Sequence, residues 1–282
     1  MKKILLIIAV VAFTINLNAQ VVTPQPSPLS KVEQKVGLTD VTIEYSRPGV
    51  KGRRIFGDLV PFGKLWRTGA NKNTIVTFSD NVTIMGQLIK AGSYALYVTP
   101  EPKVWEIVFY YETENWGLPQ DWSDKQVAAR VNAEVTRMTD MVETFTIAIN
   151  QITNSSATLE IIWENNYATI PFEVPTDDKV LASINEALNG TPTANDYYAA
   201  AVYYSQEGKD IKQAKEWIDT AMSMIDEPAF WQLRQQSLIY AKNGDTKGAI
   251  SLAEKSLTGA KEAGNEDYVK MNFDSIKEWS EK

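Results

Sequence analysis

The spacing of apolar residues changes once along this chain of 282 residues, and that change constrains the fold more than any other feature. Between Val41 and Val174 apolar and polar residues mostly alternate, which is the pattern of half-buried β-strands. After Pro175 the apolar residues recur every three to four positions, which is the pattern of amphipathic helices. We therefore predict a β domain over residues 30–175 and a helical domain over residues 176–282.

The β domain is predicted to be an antiparallel β-sandwich or barrel, because about ten short strands follow one another without intervening helices. The predicted strands cover residues 41–46, 74–78, 82–85, 88–90, 93–98, 104–111, 127–135, 142–149, 157–163 and 167–174. Hairpin turns are predicted at residues 79–81, at Gly86-Gln87 and at residues 164–166. Pro171 places the last strand at a sheet edge, because proline cannot donate a hydrogen bond to a neighbouring strand.

The helical domain contains a repeated spacing. Tyr204 and Gly208 recur as Tyr240 and Gly244, which resembles the 34-residue period of the tetratricopeptide repeat. We therefore expect an α-helical hairpin repeat whose groove binds a protein partner. The alternative is a generic helical bundle in which the spacing is a coincidence.

The N-terminus has the features of a signal peptide. Two lysines precede the apolar run Ile4–Phe13, and a polar stretch then ends at Ala19. The apolar run is too short to cross a bilayer as a helix, and no cysteine follows it that could carry a lipid. We predict a signal peptide over residues 1–19, a linker over residues 20–29, a periplasmic or secreted location and no integral membrane segment after cleavage. An uncleaved anchor is the alternative.

The chain contains neither cysteine nor histidine, which excludes several kinds of functional site. Ser-His-Asp and Cys-His nucleophilic sites need those side chains, and so do zinc sites with His or Cys ligands. We expect no metal and no cofactor, and any catalysis would depend on carboxylate, Tyr, Lys or Arg groups.

Positive charge is concentrated in one segment of an otherwise acidic chain. The net charge is -7, which argues against a nucleic-acid partner. The basic residues of the segment are Arg47, Lys51, Arg53, Arg54, Lys64, Arg67 and Lys72, and Asp58 is its one acid. Glycine and proline are frequent there, so we predict a long loop. The apolar residues expected to hold this loop on the β domain are Phe56, Leu59, Val60, Phe62, Leu65 and Trp66.

We expect this loop to bind an anionic or saccharide ligand, because the planar fork of an arginine suits carboxylate, phosphate or sulfate groups. The candidate ligand-binding residues are Arg47, Lys51, Arg53, Arg54, Trp66, Arg67 and Asn71. The alternative is that the arginines pair with acids of the same domain, such as Glu44 or Glu112, and only brace the loop.

The loop and its neighbours resemble the DUF2911 family. The resemblance is carried by Gly37–Arg53 (GLTDVTIEYSRPGVKGR), Ile55–Asn71 (IFGDLVPFGKLWRTGAN), Ala91–Tyr94 (AGSY) and Val142–Ile147 (VETFTI). It covers about residues 26–175 and implies an exported protein of Bacteroidota and related bacteria, often with a helical-repeat tail. It implies no chemistry, because the function of the family is unassigned.

Aromatic and acidic residues form a second candidate surface. Its members are Tyr110, Tyr111, Trp116 and Trp122 with Glu112, Glu114, Asp121 and Asp124. Such a mixture suits sugar stacking or a glycosidase-like pair of carboxylates, but ordinary strand residues, such as Tyr110 and Tyr111, and a loop anchor at Trp116 explain it better.

Two classes of function therefore remain open. The first is a non-enzymatic binding or scaffolding protein of the cell envelope, with an anionic ligand or glycan on the β domain. The alternative is a metal-independent, carboxylate-dependent hydrolase acting on envelope or dietary glycans. The lack of a recognisable catalytic constellation favours the first class.

Overall fold

The computed structural model describes residues 23–281 and divides the chain into two compact units, of which the first ends at Thr176 and the second begins at Asp177. The predicted signal peptide over residues 1–19, and the first part of the predicted linker, lie outside the described residues.

The first unit is a nine-stranded antiparallel sheet. Its strands are β1 (Leu29–Val36), β2 (Thr39–Ser46), β3 (Ala70–Phe78), β4 (Val82–Ile84), β5 (Gln87–Ile89), β6 (Gly92–Thr99), β7 (Val104–Tyr110), β8 (Val127–Asn150) and β9 (Ser156–Glu173). They lie in the order β1-β2-β3-β6-β7-β8-β9-β4-β5. A short 3-10 helix, Asp124–Gln126, precedes β8.

The sheet folds back on itself around one apolar core. The Tyr45 ring of β2 contacts the Phe145 ring of β8 at 5.7 Å between centroids, although these strands are not neighbours in the sheet. Phe78 of β3 meets Phe172 of β9 in the same way, also at 5.7 Å. Side chains of alternate residues from both halves therefore share one interior, which confirms the predicted antiparallel β architecture.

Strands β8 and β9 are each longer than predicted, because two predicted strands have merged in both cases. The turn predicted at residues 164–166 does not form. Instead, the pairing shifts register between Arg137 and Val142 and again between Val142 and Thr146, and Glu164 adopts a φ of 54° opposite these shifts. Bulges of this kind bend a strand without ending it.

The edge position predicted for Pro171 is wrong, since β9 lies between β8 and β4. The paired residues of β9 opposite β8 extend only as far as Ala168, so the missing N–H of the proline removes no hydrogen bond from that ladder. The Pro171 carbonyl accepts a hydrogen bond from the Met85 N–H at 3.2 Å.

The hairpin predicted at residues 79–81 does not form, because this turn connects β3 to β4 and those strands do not pair with each other. Two other hairpin turns differ from the sequence expectations. The β4–β5 turn is formed by Met85 and Gly86, one residue earlier than predicted, and both have positive φ. Strand β1 was not predicted, and it joins β2 through a turn at Gly37, where φ is 54°. A Cβ on Gly37 would overlap the Asn154 carbonyl oxygen and the Thr176 hydroxyl.

The second unit consists of helices that pack in antiparallel pairs. The helices of its described residues are α1 (Thr176–Asn189, which begins at the last residue of the first unit), α2 (Ala194–Gln206), α3 (Ile211–Ser223), α4 (Phe230–Lys242), α5 (Thr246–Glu262) and α6 (Glu266–Ser280). Within the described part of the chain, no helix combines the length and the hydropathy needed to cross a membrane.

The ends of these helices carry residue types that favour helix ends. Thr193 caps α2 in a reciprocal capping box, in which its N–H donates to the Asp196 carboxylate at 2.8 Å and its hydroxyl accepts from the Asp196 N–H. Gly208 and Gly244 follow α2 and α4 with φ of 63° and 86°, values that favour glycine. The helical prediction is therefore confirmed.

Candidate functional site

The basic segment forms a loop over residues 47–69, between β2 and β3, that is held on the sheet by its own backbone. Trp66 and Val98 exchange two backbone hydrogen bonds, at 2.7 and 2.9 Å, and Gly49 forms an isolated bridge with Thr144. Loops fixed in this way can hold side chains in defined positions for a ligand.

The apolar residues expected to pin the loop divide into two groups. Phe56 and Val60 are buried as predicted. Leu59 and Phe62 are 46% and 37% exposed, so their predicted role is wrong. Leu59 lies inside the turn in which the Val60 N–H donates to the Ile55 carbonyl at 2.9 Å, and Phe62 follows that turn.

A cavity of about 410 Å³ lies against this loop. Four of the seven candidate residues line it, namely Lys51, Arg53, Trp66 and Arg67. The cavity lining includes no aspartate or glutamate. Its other side chains are largely apolar and include Pro26, Leu59, Val60, Leu65, Leu118 and Trp163.

Arg67 is a partly buried cation whose guanidinium forms no hydrogen bond or ion pair with any residue that the structure describes. A Cβ on Gly117 would lie 3.0 Å from its Nη1 atom, so the group is confined on that side. The next residue, Thr68, is fully buried with a φ of 55°, which is unusual for a β-branched residue. Arg67 is thus positioned by a strained turn but left free to bind a ligand.

Lys51 and Arg53 approach the same cavity with different partners. The Lys51 backbone N–H donates to the Glu143 carboxylate at 2.8 Å, whereas its ammonium has no partner among residues 23–281. Arg53 donates from Nε to the Val50 carbonyl at 3.0 Å and from Nη2 to the Gly49 carbonyl at 2.6 Å. Arg53 therefore braces the loop and at the same time brings its charge to the cavity.

Three candidate residues lie outside the cavity lining. Arg47 donates to the Phe145 carbonyl at 2.9 Å and to the Thr146 hydroxyl at 2.8 Å, which ties the loop to β8. Arg54 is exposed. In the described structure no arginine of the loop forms an ion pair with Glu44 or Glu112, so the bracing that occurs uses carbonyl and hydroxyl groups instead.

Asn71 fixes the segment that precedes β1. Its side-chain amide donates to the Ser27 carbonyl at 3.1 Å, the Ser46 hydroxyl at 3.2 Å and Gln25 Oε1 at 3.3 Å. Pro26 and Ser27 line the cavity. The described part of the predicted linker therefore forms a wall of this cavity.

Trp66 is held by other aromatic rings. Its ring stacks on Trp163 at 5.9 Å between centroids, and it meets Phe56 and Phe145 edge to face at 6.0 and 5.2 Å. Its Nε1–H donates to the Gly69 carbonyl at 3.2 Å. The indole is therefore a fixed wall.

Part of the aromatic and acidic surface consists of packing residues and of an exposed ion pair. Tyr110 is buried and stacks on Trp122 at 4.6 Å, as expected of packing residues. Glu114 pairs with Lys72 at 3.1 Å, and this hydrogen bond lowers the pKa of Glu114.

Sequence reasoning missed several residues of the cavity. Leu118 belongs to the segment between β7 and β8, Trp163 to β9 and Pro26 to the segment before β1. Nothing local in the sequence marks these residues as neighbours of the basic loop, because the folding of the sheet brings them together.

A family model described as "Protein of unknown function (DUF2911)" matches residues 27–172, which include the whole basic loop and all the cavity-lining residues named above except Pro26. The resemblance inferred from the sequence is therefore confirmed. A search among curated proteins and another among solved structures find no match to the chain.

Proposed function

Because this chain belongs to the DUF2911 family, whose function is unknown, we propose a function from its cavity: a non-enzymatic binding protein that holds an anionic ligand beside Arg67. The observation that carries the proposal is that the Arg67 guanidinium lies at a cavity of about 410 Å³ with no partner among the described residues. A partly buried cation without a partner is costly, and a bound anion would remove much of that cost.

The charge distribution around the cavity supports the same function. Lys51, Arg53 and Arg67 all line it, and no carboxylate does. Like charges held close together repel one another, so an anion that binds among them gains from all three. Glu143, which accepts from the Lys51 backbone, lies outside the lining and leaves the cavity itself cationic.

We extend the proposal to the location and to the second unit. The lysines and short apolar run at the N-terminus support export to the periplasm or the exterior. In the helical unit, a cavity of about 530 Å³ is lined mainly by apolar and aromatic residues, together with two asparagines: Leu181, Ile184, Leu188, Tyr197, Tyr204 and Trp217, with Asn185 and Asn189. This apolar and aromatic lining supports the proposal that the helices bind a protein partner.

The test uses two arginines of the same loop. The full chain would be titrated by calorimetry at low salt with two carboxylates, glucuronate as an acidic sugar and octanoate as an apolar acid. We expect at least one of them to bind with one-to-one stoichiometry. Arg67→Gln should then weaken binding at least tenfold, because hydrogen bonds to charged groups contribute about 1.5–3 kcal/mol.

Arg54→Gln is the matched control, because it removes the same charge from the same loop but from a residue outside the cavity lining. It should change the affinity less than about twofold, since an exposed charge is screened by salt. Equal weakening by both substitutions would mean that only general charge attracts the anion. Absence of binding by both carboxylates would contradict the proposed function.

A further inference from the structure

We infer that the ligand of this cavity is an amphiphilic anion, with a carboxylate, sulfate or phosphate head and an apolar body, and that it is not a saccharide. This inference rests on the proposed function and narrows the class of ligand.

The lining presents apolar surface to solvent. Leu59 and Leu118 are each 46% exposed, and they come from separate segments of the chain, the basic loop and the connection between β7 and β8. Val60 and Leu65 add further aliphatic groups to the same cavity. Covering such surface is favourable in proportion to the apolar area removed from water, so an apolar body gains affinity here.

The side chains of the same lining offer few hydrogen-bond acceptors. Its side chains include one hydroxyl, that of Ser27, and no carboxylate or carboxamide. Two of its backbone carbonyls are already engaged, because Gly49 accepts from Arg53 and Gly69 accepts from Trp66.

A saccharide carries several hydroxyl donors, and each donor left unpaired on burial has a free-energy cost. A carboxylate, sulfate or phosphate head only accepts hydrogen bonds, which matches the donors of Arg67 and Lys51. The donor-rich, acceptor-poor lining therefore selects an anionic head and disfavours a polyhydroxylated ligand.

The indole at the cavity is also poorly placed for sugar stacking. Trp66 already stacks on Trp163 with an angle of 16° between ring planes, and its edges meet Phe56 and Phe145. Trp163 is 1% exposed. These rings form an apolar wall, and the cavity volume of about 410 Å³ lies within the usual range of about 300–1,000 Å³ for small-ligand sites.

The experiment compares four probes by calorimetry with the full chain: octanoate, hexanoate, glucuronate and octyl glucoside below its micelle-forming concentration. Octanoate should bind most tightly. Each buried methylene contributes roughly fourfold in affinity, so hexanoate should bind about fifteenfold more weakly. Glucuronate lacks the apolar chain and octyl glucoside lacks the charge, so each should bind at least tenfold more weakly than octanoate.

Two substitutions test separately how the anionic head and the apolar body of the ligand contribute to binding. Leu118→Asn should reduce the ratio between octanoate and hexanoate affinities and leave glucuronate binding unchanged. Arg67→Gln should lower the affinity for octanoate until it is close to the affinity for octyl glucoside. Leu88→Asn is the matched control for the first substitution, because Leu88 is 70% exposed in β5 and lies outside the cavity lining. Circular dichroism would confirm that each variant is folded.

The possible failures are distinguishable. Tighter binding of glucuronate than of octanoate, still dependent on Arg67, would overturn this inference and leave the proposed function standing. Equal binding of octyl glucoside and octanoate would show an apolar site without anion selectivity and would overturn both. Binding of neither carboxylate would also overturn both.

Discussion

Arg47 and Arg67 lie in the same loop, and the structure predicts opposite consequences for their removal. In Arg47→Met, a side chain of similar length loses the hydrogen bonds to the Phe145 carbonyl and the Thr146 hydroxyl. The Thr146 hydroxyl still donates to the Thr144 carbonyl at 2.9 Å, so its loss is partial. Arg67→Met removes no hydrogen bond or ion pair formed with the described residues.

The expected loss of stability can be estimated from the hydrogen bonds that each substitution removes. A hydrogen bond from a charged group contributes about 1.5–3 kcal/mol, and an ordinary one about 1 kcal/mol. With one bond lost in full and one in part, Arg47→Met should lower the free energy of unfolding by about 2–3 kcal/mol. Arg67→Met should lower it by less than about 0.5 kcal/mol, because the substitution removes no hydrogen bond or ion pair with the described residues.

The change in the free energy of unfolding of each variant is measured by urea unfolding of the full chain, followed by near-ultraviolet circular dichroism and by tryptophan fluorescence. Thermal midpoints give a second reading, at roughly 2–4 °C for each kcal/mol in a chain of this size. Equal loss of stability in the two variants would refute the reasoning, because it would show that Arg67 also braces the loop. The cavity would then have no free guanidinium to offer an anion.

Two further predictions concern stability. Gly37→Ala should destabilise the β unit by several kcal/mol in urea unfolding, because the new Cβ would overlap a backbone carbonyl. Gly86 also has a positive φ but has open space around it, so Gly86→Ala should lower the free energy of unfolding by only about 1–2 kcal/mol. Equal destabilisation by the two substitutions would contradict the crowding at Gly37. In the helical unit, a hydrogen bond from Lys209 and a smaller effect of a hydrogen bond from Tyr203 lower the pKa of Asp177 below its ordinary value of 3.8. The ionised Asp177 carboxylate therefore contributes its full stabilisation above pH 3.8, and this stabilisation is lost as the pH falls below that value. Thermal melts of Asp177→Asn should therefore show a weaker loss of stability on the acid side than the parent chain, and identical acid slopes would contradict this.

The helical unit was the most predictable part of the molecule. Its signals are local, as at Thr193, where a hydroxyl and the carboxylate of Asp196 three residues later define a helix start. The glycines that follow α2 and α4 act locally as well. Such signals can be identified from the sequence without knowledge of the tertiary structure.

The long β8–β9 pair was less predictable, for a physical reason. The polar residues Glu164, Asn165 and Asn166 have the composition of a turn, yet the chain continues as a strand because its partner supplies the compensating register shifts near Val142. Whether a polar group of residues turns or bulges depends on pairing with a distant segment, and no local pattern encodes that partner.

The candidate site shows the same limit. The sequence marked the basic loop as a ligand-binding segment, and four of its seven candidates line one cavity. It did not distinguish Arg47 from Arg67, because that difference depends on whether a β8 carbonyl lies within reach. The apolar character of the lining also came from tertiary structure, since Leu118 and Trp163 reach the cavity only after the sheet has folded.

The wall formed by Pro26 and Ser27 has a practical consequence for protein engineering. A shortened chain that begins at Leu29 would keep every strand, yet it would open the cavity on one side and remove two of the three acceptors bound by the Asn71 amide. An affinity tag fused directly before Gln25 would place foreign residues beside the same opening. Binding measurements therefore depend on where the recombinant polypeptide starts, even when its secondary structure is unchanged.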